Sequence, residues 1–154
     1  MLFNETQLER YSRHFVLPQI GVSGQKRLLF SKVLVIGAGA LGSSALMYLA
    51  AAGVGTIGIV DCDTVELSNL QRQIIHNSSS VGKSKTESAK ERIKAINPDV
   101  HTVLYYERAT VNNISDLIRP YDFIIDGTDN FETKFLINDA CVLENKPYSH
   151  AGVV

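Results

Sequence analysis

Short apolar runs alternate along this chain with segments in which apolar residues recur at helical spacing. Runs rich in β-branched residues predict strands, and the segments between them predict helices. The predicted strands are Lys32–Ile36, Thr56–Val60 and residues 100–106, 121–126 and 147–154, and the predicted helices are Ala40–Ala52 and residues 83–96, 113–118 and 131–144. Strands that alternate with helices form a parallel sheet with right-handed crossovers. We therefore expect an α/β protein with a Rossmann-like three-layer fold and a mainly parallel sheet.

The N-terminal segment lacks this alternation and predicts a helical arm. Thr6 and Glu9 have the spacing of a capping box that opens a short helix, and Gly21 interrupts the chain before a second one. We expect residues 1–154 to form a single domain, with residues 1–30 as its N-terminal helical arm. The last predicted strand runs to the end of the chain without a polar tail. We therefore expect the sequence to be the N-terminal part of a longer protein.

The composition is that of an ordinary globular protein. Of the 154 residues, 45% are hydrophobic, and the formal net charge of −1 predicts no nucleic-acid or anionic-membrane partner. Residues 33–60 carry no charge and could cross a bilayer by length alone, but six glycines divide them into a buried strand–helix–strand unit. Cys62 and Cys141 match neither a disulfide framework nor a metal site. We therefore expect a cytoplasmic protein in which both cysteines are buried thiols.

A glycine-rich sequence follows the first predicted strand and opens the first long helix. Gly37-Ala-Gly-Ala-Leu-Gly42 has the G-x-G-x-x-G pattern, whose glycines let the backbone turn tightly and approach a phosphate at a helix N-terminus. Asp61 ends the second predicted strand, where a carboxylate can accept hydrogen bonds from ribose hydroxyls. These features predict a bound nucleotide, and they suit ATP and NAD equally well.

A polar segment after the second predicted strand favours a triphosphate. Arg72 offers a planar fork of donors for phosphate oxygens, and Asn69 and Gln73 add neutral donors. Lys85 lies in the first turn of the next predicted helix, where a cation is unfavourable unless an anion lies beside it. A phosphate group would supply that anion.

The fourth predicted strand ends at Asp126-Gly-Thr-Asp-Asn130. Ligands of open α/β sheets bind beyond the carboxyl ends of the strands, so we expect Asp129 beside the nucleotide. A carboxylate that faces a triphosphate requires a cation between them, and Mg²⁺ suits this role. Thr128 or Asn130 is the expected N-cap of the following helix.

Six segments of the sequence occur in the order seen in the MoeB/ThiF/HesA family. They are Arg10-Tyr-Ser-Arg-His14, Gly37-Ala-Gly-Ala-Leu-Gly42, Asp61, Ser68-Asn-Leu-Gln-Arg-Gln73, Gly82-Lys-Ser-Lys85 and Thr128-Asp-Asn130. From about Leu8 onward the chain resembles this family, which includes bacterial relatives of ubiquitin-activating enzymes. The resemblance implies ATP-dependent adenylylation of the C-terminal Gly-Gly carboxylate of a small ubiquitin-like sulfur carrier. Pyrophosphate would be released, as in molybdopterin or thiamine biosynthesis.

The resemblance also implies a role for each matched residue. Asp61 would bind the ribose, residues 37–42 would lie along the phosphates, and Asp129 would bind Mg²⁺ together with ATP. Arg13 matches an arginine that dimers of the family insert into the neighbouring ATP site, so a homodimer is expected. The implied catalytic residues are Arg13, Arg72, Lys85 and Asp129. The implied nucleotide-binding residues are Gly37, Gly39, Ala40, Gly42, Asp61, Ser68, Asn69, Leu70, Gln71, Arg72, Lys85, Asp129 and Asn130.

Two alternatives stay open at this point. An NAD-dependent oxidoreductase domain could use the same glycine-rich turn, and a non-catalytic scaffold could keep the fold without the ATP chemistry. Many family members bind a structural Zn²⁺ through cysteine pairs, so zinc is expected only if the chain continues past Val154. The histidines are expected to be structural or solvent-exposed; they are His14, His76, His101 and His150.

Overall fold

Five parallel strands form the centre of the structure, a computed structural model that describes residues 3–152. The strands are β1 (Lys32–Ile36), β2 (Thr56–Val60), β3 (His101–Tyr105), β4 (Phe123–Asp126) and β5 (Tyr148–His150). Their order across the sheet is β3-β2-β1-β4-β5, and every neighbouring pair is parallel. The chain thus extends the sheet from β1 in one direction and then returns to extend it in the other. This confirms the predicted Rossmann-like α/β fold.

Helices cover both faces of the sheet. In the described part of the chain they are α1 (Glu5–Arg10), α2 (Ser12–Phe15), α3 (Gly21–Phe30), α4 (Ala40–Ala52), α5 (Lys85–Ile96), α6 (Ile114–Ile118) and α7 (Phe131–Leu143). Val33 and Val35 of β1 pack in one cluster with α4 and α5, whereas Leu34 and Ile36 pack in another with α6 and α7. Successive side chains of a strand point to opposite faces, so a strand covered on both faces is apolar throughout.

The N-terminal arm packs on the amino-end side of the sheet. Its first helix is capped by Asn4, which accepts the N–H of Gln7 at 2.9 Å while the Gln7 side chain returns a bond at 3.1 Å. The predicted capping box of Thr6 and Glu9 is therefore wrong by two residues. Tyr11, 1% exposed, accepts a hydrogen bond from Asn97 at 2.8 Å and ties the arm to the end of α5.

Most predicted elements after β2 differ from the structure by one or two residues at an end, and the start of α5 and the end of the last strand have identifiable causes. α5 begins at Lys85 rather than at residue 83, because backbone hydrogen bonds pair Val65 with Gly82 and Lys83, and Ser84 is extended and caps the helix. β5 ends at His150, and Ala151 and Gly152 have no regular structure, while the rest of the predicted strand lies outside the described residues. Between residues 3 and 152, no helix has the length and apolar character needed to cross a bilayer.

Candidate nucleotide-binding cleft

An open cleft of about 720 Å³ lies at the carboxyl ends of the strands. Residues that follow β1, β2, β3 and β4 line it, together with the amino ends of α4, α5 and α7. The chain reverses its direction across the sheet between β1 and β4, which is where open α/β sheets bind ligands. A volume of this size suits a small organic ligand such as a nucleotide.

The glycine loop (residues 37–42) joins β1 to α4 and passes close to the end of β4. Gly37 has a φ of 96°, a left-handed value that favours glycine. A Cβ atom at Gly42 would overlap the carbonyl oxygen of Gly37, so a side chain there would displace the loop. α4 begins at Ala40, and its first N–H groups lack intrahelical partners. These N–H groups can bind a phosphate placed over the loop.

Ala38, the second residue of the loop, is held at both its N–H and its carbonyl group. Asp61 accepts the N–H through Oδ2 at 2.8 Å, and His76 Nε2 lies 3.0 Å from the carbonyl oxygen. Since a carbonyl oxygen only accepts, Nε2 carries the proton, and Nδ1 accepts from the Ser88 hydroxyl at 2.8 Å. Burial lowers the pKa of His76, which keeps the ring neutral. His76 is structural, as the sequence predicts.

Asp61 lines the cleft directly after β2, where the sequence places the ribose site. Its second carboxylate oxygen, Oδ1, accepts the N–H of Asp63 at 2.8 Å. Each carboxylate oxygen can accept a further hydrogen bond. The side chain is therefore oriented by backbone groups and still able to accept ribose hydroxyls.

Residues 68–73 divide into a turn and a pair of cleft residues. Asn69 Oδ1 accepts the backbone N–H of Glu66 at 3.2 Å, which closes a 3-10 turn at the start of the segment. Arg72 lies beyond the turn and lines the cleft. Its guanidinium donates one hydrogen bond to the Ser68 carbonyl oxygen at 3.1 Å. Guanidinium has five N–H donors, so most of them are available to phosphate oxygens.

Gln73 ends the same segment and lines the cleft, where the sequence predicts it as a neutral donor, although it is not among the nucleotide-binding residues that the family resemblance implies. The residue is 5% exposed, and its Oε1 atom has no hydrogen-bond partner among the described residues. A buried polar atom without a partner is unfavourable. Gln73 is therefore a candidate ligand contact, and its role as a donor to the nucleotide stays a prediction from the polar segment after β2.

Lys85 forms an ion pair with a residue that the sequence did not single out. Its ammonium group lies 2.9 Å from Oδ2 of Asp63, and its side chain is 8% exposed, against 60% for Asp63. The hydrogen bond from Lys85 is the largest of the effects that lower the pKa of Asp63. The prediction of Lys85 in the first turn of a helix is confirmed. Its countercharge is the carboxylate of Asp63, and both residues line the cleft.

Asp126, the last residue of β4, organises a polar cluster at the opposite side of the cleft. Oδ1 accepts the N–H and the hydroxyl of Thr128 at 3.0 and 2.6 Å, and Oδ2 lies 3.0 Å from both Lys134 Nζ and His150 Nδ1. Burial acts to raise the pKa of Asp126, but hydrogen bonds from Thr128 and Lys134 outweigh it and lower the pKa. Its position at the end of an apolar strand resembles that of Asp61, and this signal could have identified it.

Asp129 and Asn130 are adjacent but have different environments: Asn130 caps a helix, whereas Asp129 faces the cleft. Asn130 accepts the N–H of Thr133 at 2.9 Å and caps α7, which settles which of the two expected residues is the cap. Asp129 is exposed, lines the cleft, and has no hydrogen-bond or ion-pair partner among the described residues. Within residues 3–152 no three acidic, histidine or cysteine side chains cluster as metal ligands. Mg²⁺ in this cleft would take one carboxylate and complete its ligands with phosphates and water, a mixture that Mg²⁺ favours.

Several predicted site residues lie outside the cleft lining: Arg13, Gly42, Ser68, Asn69, Leu70 and Gln71. Gly42 contributes through the geometry of the glycine loop, and residues 68–71 contribute through the turn that precedes Arg72. Arg13 is exposed on α2, away from the nucleotide cleft of its own chain. A direct nucleotide contact by these residues stays a prediction.

The two cysteines have different environments. Cys141 is buried as expected, and burial, with a smaller effect of Asp126, raises the pKa of its thiol to about 11. Cys62 lines the cleft and is partly exposed. The prediction that Cys62 is a buried thiol is therefore wrong, because the chain leaves the sheet directly after β2.

The parallel sheet, the glycine loop and the charged groups around the cleft define a Rossmann-type nucleotide-binding protein. The chain belongs to the ThiF family, whose family model matches residues 11–154. This confirms the resemblance drawn from the sequence motifs.

Two curated relatives and one solved structure show what the chain is similar to. It is 58% identical over 142 residues to the probable adenylyltransferase/sulfurtransferase MoeZ of Mycobacterium tuberculosis, covering 92% of this chain and 36% of that protein. It is 46% identical over 147 residues to the sulfur carrier protein adenylyltransferase of Thermus thermophilus, covering 96% of this chain and 54% of that protein. E. coli tRNA N6-threonylcarbamoyladenosine dehydratase, TcdA, in complex with ATP matches with a TM-score of 0.88 and 27% identity, covering 94% of this chain and 59% of that one. The chain thus spans roughly a third to a half of the length of these curated relatives.

Proposed function

We propose that this chain binds ATP with Mg²⁺ and transfers AMP to the C-terminal carboxylate of a small ubiquitin-like sulfur carrier ending in Gly-Gly. The observation that carries the proposal is one cleft in which the glycine loop meets Arg72, Lys85 and the free carboxylate of Asp129. Two curated relatives that are named adenylyltransferases support it, and one of them is named for a sulfur carrier protein.

The proposed reaction joins two anions. An oxygen of the carrier carboxylate forms a bond to the α-phosphorus of ATP, while the bond from that phosphorus to the oxygen bridging to the β-phosphate breaks. The acyl-adenylate forms, and pyrophosphate leaves with the electron pair of the broken bond. Because the carboxylate is already anionic, the chain needs neither a nucleophile nor a base of its own. Its task is to position the two anions and stabilise the charge that develops on the phosphates.

Four parts of the cleft have a place in this reaction. Asp61 accepts the ribose hydroxyls, and the N–H groups at the start of α4 bind phosphate oxygens. The guanidinium of Arg72 and the ammonium of Lys85 bind the phosphates from the side of β2. Asp129 is the ligand for Mg²⁺, which when bound neutralises phosphate charge.

ATP is favoured over NAD by the same residues. NAD carries a diphosphate between two nucleosides and needs no metal, whereas Arg72, Lys85 and Asp129 together match a triphosphate with Mg²⁺. Membership of the ThiF family and the likeness to an ATP-bound structure point the same way. The retention of these three residues also argues against a scaffold that has lost its chemistry.

Calorimetric titration with ATP plus Mg²⁺, and separately with NAD, tests the nucleotide. We expect saturable ATP binding, no NAD binding, and at least a tenfold loss of ATP affinity in Arg72→Ala. Arg27→Ala is the matched control, because Arg27 is exposed on α3, outside the cleft lining. NAD binding without ATP binding would overturn the proposal.

Pyrophosphate exchange tests the second substrate and the pathway. Carriers ending in Gly-Gly from molybdopterin and thiamine biosynthesis are each added with ATP and labelled pyrophosphate, alongside the same carriers with the last glycine deleted. We expect exchange only with an intact Gly-Gly terminus, and the carrier that supports it identifies the pathway. Exchange that does not depend on that terminus would exclude the proposed acceptor.

We further propose that the protein acts as a homodimer in which Arg13 reaches the ATP site of the neighbouring chain. The exposed position of Arg13 on α2, outside the cleft of its own chain, supports this arrangement. A cytoplasmic location stays a prediction from the sequence, as does zinc binding if the chain continues past Val154.

A further inference from the structure

Asp126 uses both of its carboxylate oxygens to hold other groups of the cleft. Thr128 donates two hydrogen bonds to Oδ1, while Lys134 and His150 both approach Oδ2 at 3.0 Å. Its side chain is fully buried. A carboxylate with four contacts has no capacity left for a metal ion or a substrate hydroxyl. Asp126 therefore serves to fix Lys134 and His150 at the cleft.

Lys134 is a buried cation with one donor left over. Its side chain is 10% exposed, and Nζ donates to Asp126 Oδ2 at 3.0 Å and to the carbonyl oxygen of Ala151 at 2.6 Å. An ammonium group has three N–H donors, so one remains without a partner among the described residues. Lys134 lines the cleft. The unused donor is available to a ligand with an anionic or carbonyl oxygen.

His150 is the second group that Asp126 holds at the cleft. Because the ionised Asp126 only accepts, the proton of the 3.0 Å contact lies on His150 Nδ1. Nε2 has no partner among residues 3–152, and the side chain is 52% exposed at the cleft. Protonation of Nε2 would make the ring a cation and a second donor. The other titratable groups near it are Lys134, which shares the Asp126 carboxylate, and Tyr148, whose ring lies edge-on with its centroid 6.5 Å away.

The cluster lies on the side of the cleft opposite the phosphate-binding cations. Arg72 and Lys85 follow β2, whereas Lys134 and His150 belong to α7 and β5. In this topology a nucleotide extends from the ribose site after β2 to the glycine loop after β1, so its reaction partner arrives over β4 and β5. The charges of Lys134 and Asp126 cancel, so a protonated His150 would give the cluster of these three residues a net charge of +1.

We propose that Lys134 and His150, held by Asp126, bind the carboxylate of the acceptor and orient it toward the α-phosphate. This inference rests on the proposed adenylylation and names the acceptor site within it. The remaining N–H of Lys134 and the N–H of a protonated His150 Nε2, on two groups anchored to one buried carboxylate, match the two oxygens of an incoming carboxylate. They also offset the repulsion between that carboxylate and the phosphates.

The test compares two synthetic ten-residue peptides that end in Gly-Gly, one with a free carboxylate and one with a C-terminal amide. Their affinities are measured by calorimetry with ATP bound under conditions without turnover, using a non-hydrolysable α,β-methylene analogue and Mg²⁺. The wild-type chain should bind the carboxylate peptide at least tenfold more tightly than the amide. His150→Gln and Lys134→Gln should reduce that ratio to below threefold while ATP-analogue affinity stays within twofold.

Two controls separate the acceptor site from the fold and from the proposed function. His101→Gln changes an exposed histidine at the amino end of β3 and should keep the wild-type ratio. Repeating the wild-type titration in buffers of different ionisation enthalpy should reveal proton uptake with the carboxylate peptide, and His150→Gln should abolish it. If His150 has only a structural role, the folded His150→Gln variant should keep both the wild-type affinity ratio of the two peptides and the wild-type proton uptake.

The outcomes distinguish the two proposals. If the wild-type chain binds no ATP analogue, the proposed function fails and the acceptor site falls with it. If the analogue binds but the wild-type chain shows no carboxylate preference, including no measurable binding of either peptide, only the acceptor site is overturned. The acceptor site is likewise overturned if the His150→Gln variant, shown to be folded by its thermal melt, keeps the full preference for the carboxylate peptide.

Discussion

The ammonium group of Lys85 lies 2.9 Å from a carboxylate oxygen of Asp63 at the mouth of the nucleotide cleft. Lys85 is the first residue of α5, where the helix dipole disfavours a cation, and the side chain is almost fully buried. Asp63 supplies the anion that this position requires. A phosphate of ATP would therefore enter a site in which a carboxylate already holds the cation.

Removal of the Asp63 carboxylate should make the protein more dependent on its nucleotide. Asp63→Asn leaves the buried ammonium group without a countercharge, and we expect a loss of about 1–2 kcal/mol in the free energy of unfolding. The rise in melting temperature on adding ATP plus Mg²⁺ should be larger in this variant than in the wild type. Glu91→Gln, which breaks the exposed ion pair with Lys83, should change stability by less than about 0.5 kcal/mol. Equal ATP-induced shifts in wild type and Asp63→Asn would contradict a shared role of phosphate and carboxylate.

Gly42 and Gly39 should respond differently to the same substitution. Gly42→Ala places a Cβ atom against the carbonyl oxygen of Gly37, and we expect a loss of about 1–3 kcal/mol in urea unfolding. Gly39→Ala places its Cβ 3.8 Å from the Gln73 amide, an ordinary contact distance. It should therefore change stability by less than about 0.5 kcal/mol. Similar losses in both variants would show that the close packing of the loop is not the cause.

His76 should make the stability of the protein decrease as the pH falls. Burial lowers its pKa below the ordinary value of 6.5, so below that value the unfolded chain binds a proton that the folded chain does not. Stability from the neutral ring is therefore complete above pH 6.5 and is lost as the pH falls, by up to about 1.4 kcal/mol per pH unit. Urea unfolding between pH 8 and about 5, above the range where carboxylates titrate, measures this slope. His76→Gln should flatten it, whereas His101→Gln, an exposed control, should not.

Two aspartates three residues apart should show opposite effects. Asp129 is exposed and unpaired among the described residues, so Asp129→Asn should abolish adenylation while leaving the melting temperature within a few degrees. Asp126→Asn removes the partner of the buried Lys134 and should cost about 3–5 kcal/mol of stability. Pyrophosphate exchange and thermal melting, measured on both variants, check the pair. Retained exchange in Asp129→Asn would remove Asp129 from the metal site.

Arg13 should act on the ATP site of a second chain. Arg13→Ala and Arg72→Ala should each be nearly inactive alone, but a mixture exchanged into heterodimers should regain activity. The reason is that one of the two sites in a heterodimer receives both arginines intact. Pyrophosphate exchange before and after subunit mixing measures this recovery. Full activity of Arg13→Ala by itself would show that Arg13 has no role in catalysis.

The central strand–helix–strand unit was predicted closely because its signals are local. β1, α4 and β2 have the bounds that the apolar pattern predicts, since strands buried on both faces are apolar throughout. Boundaries failed where a distant segment intervened, as at α5, whose start is delayed by pairing between Val65 and Lys83. The predicted cap of the first helix in the N-terminal arm was wrong by two residues, because Asn4 and Thr6 both have side chains that can cap a helix.

The sequence by itself determined the fold class, the glycine loop and the positions of Asp61, Arg72, Lys85 and Asp129 around one cleft. Each is marked by residue types next to a strand end or helix start. Only the tertiary structure decided which charged groups pair across it, because sheet order brings together residues that are distant in sequence. Asp63 meets Lys85 across 22 residues, and His150 meets Asp126 because β5 lies beside β4. These pairings distinguish Asp129, whose carboxylate has no partner among the described residues, from Asp126, whose carboxylate already makes four contacts. The sequence pattern around each aspartate carries no information about such long-range pairs.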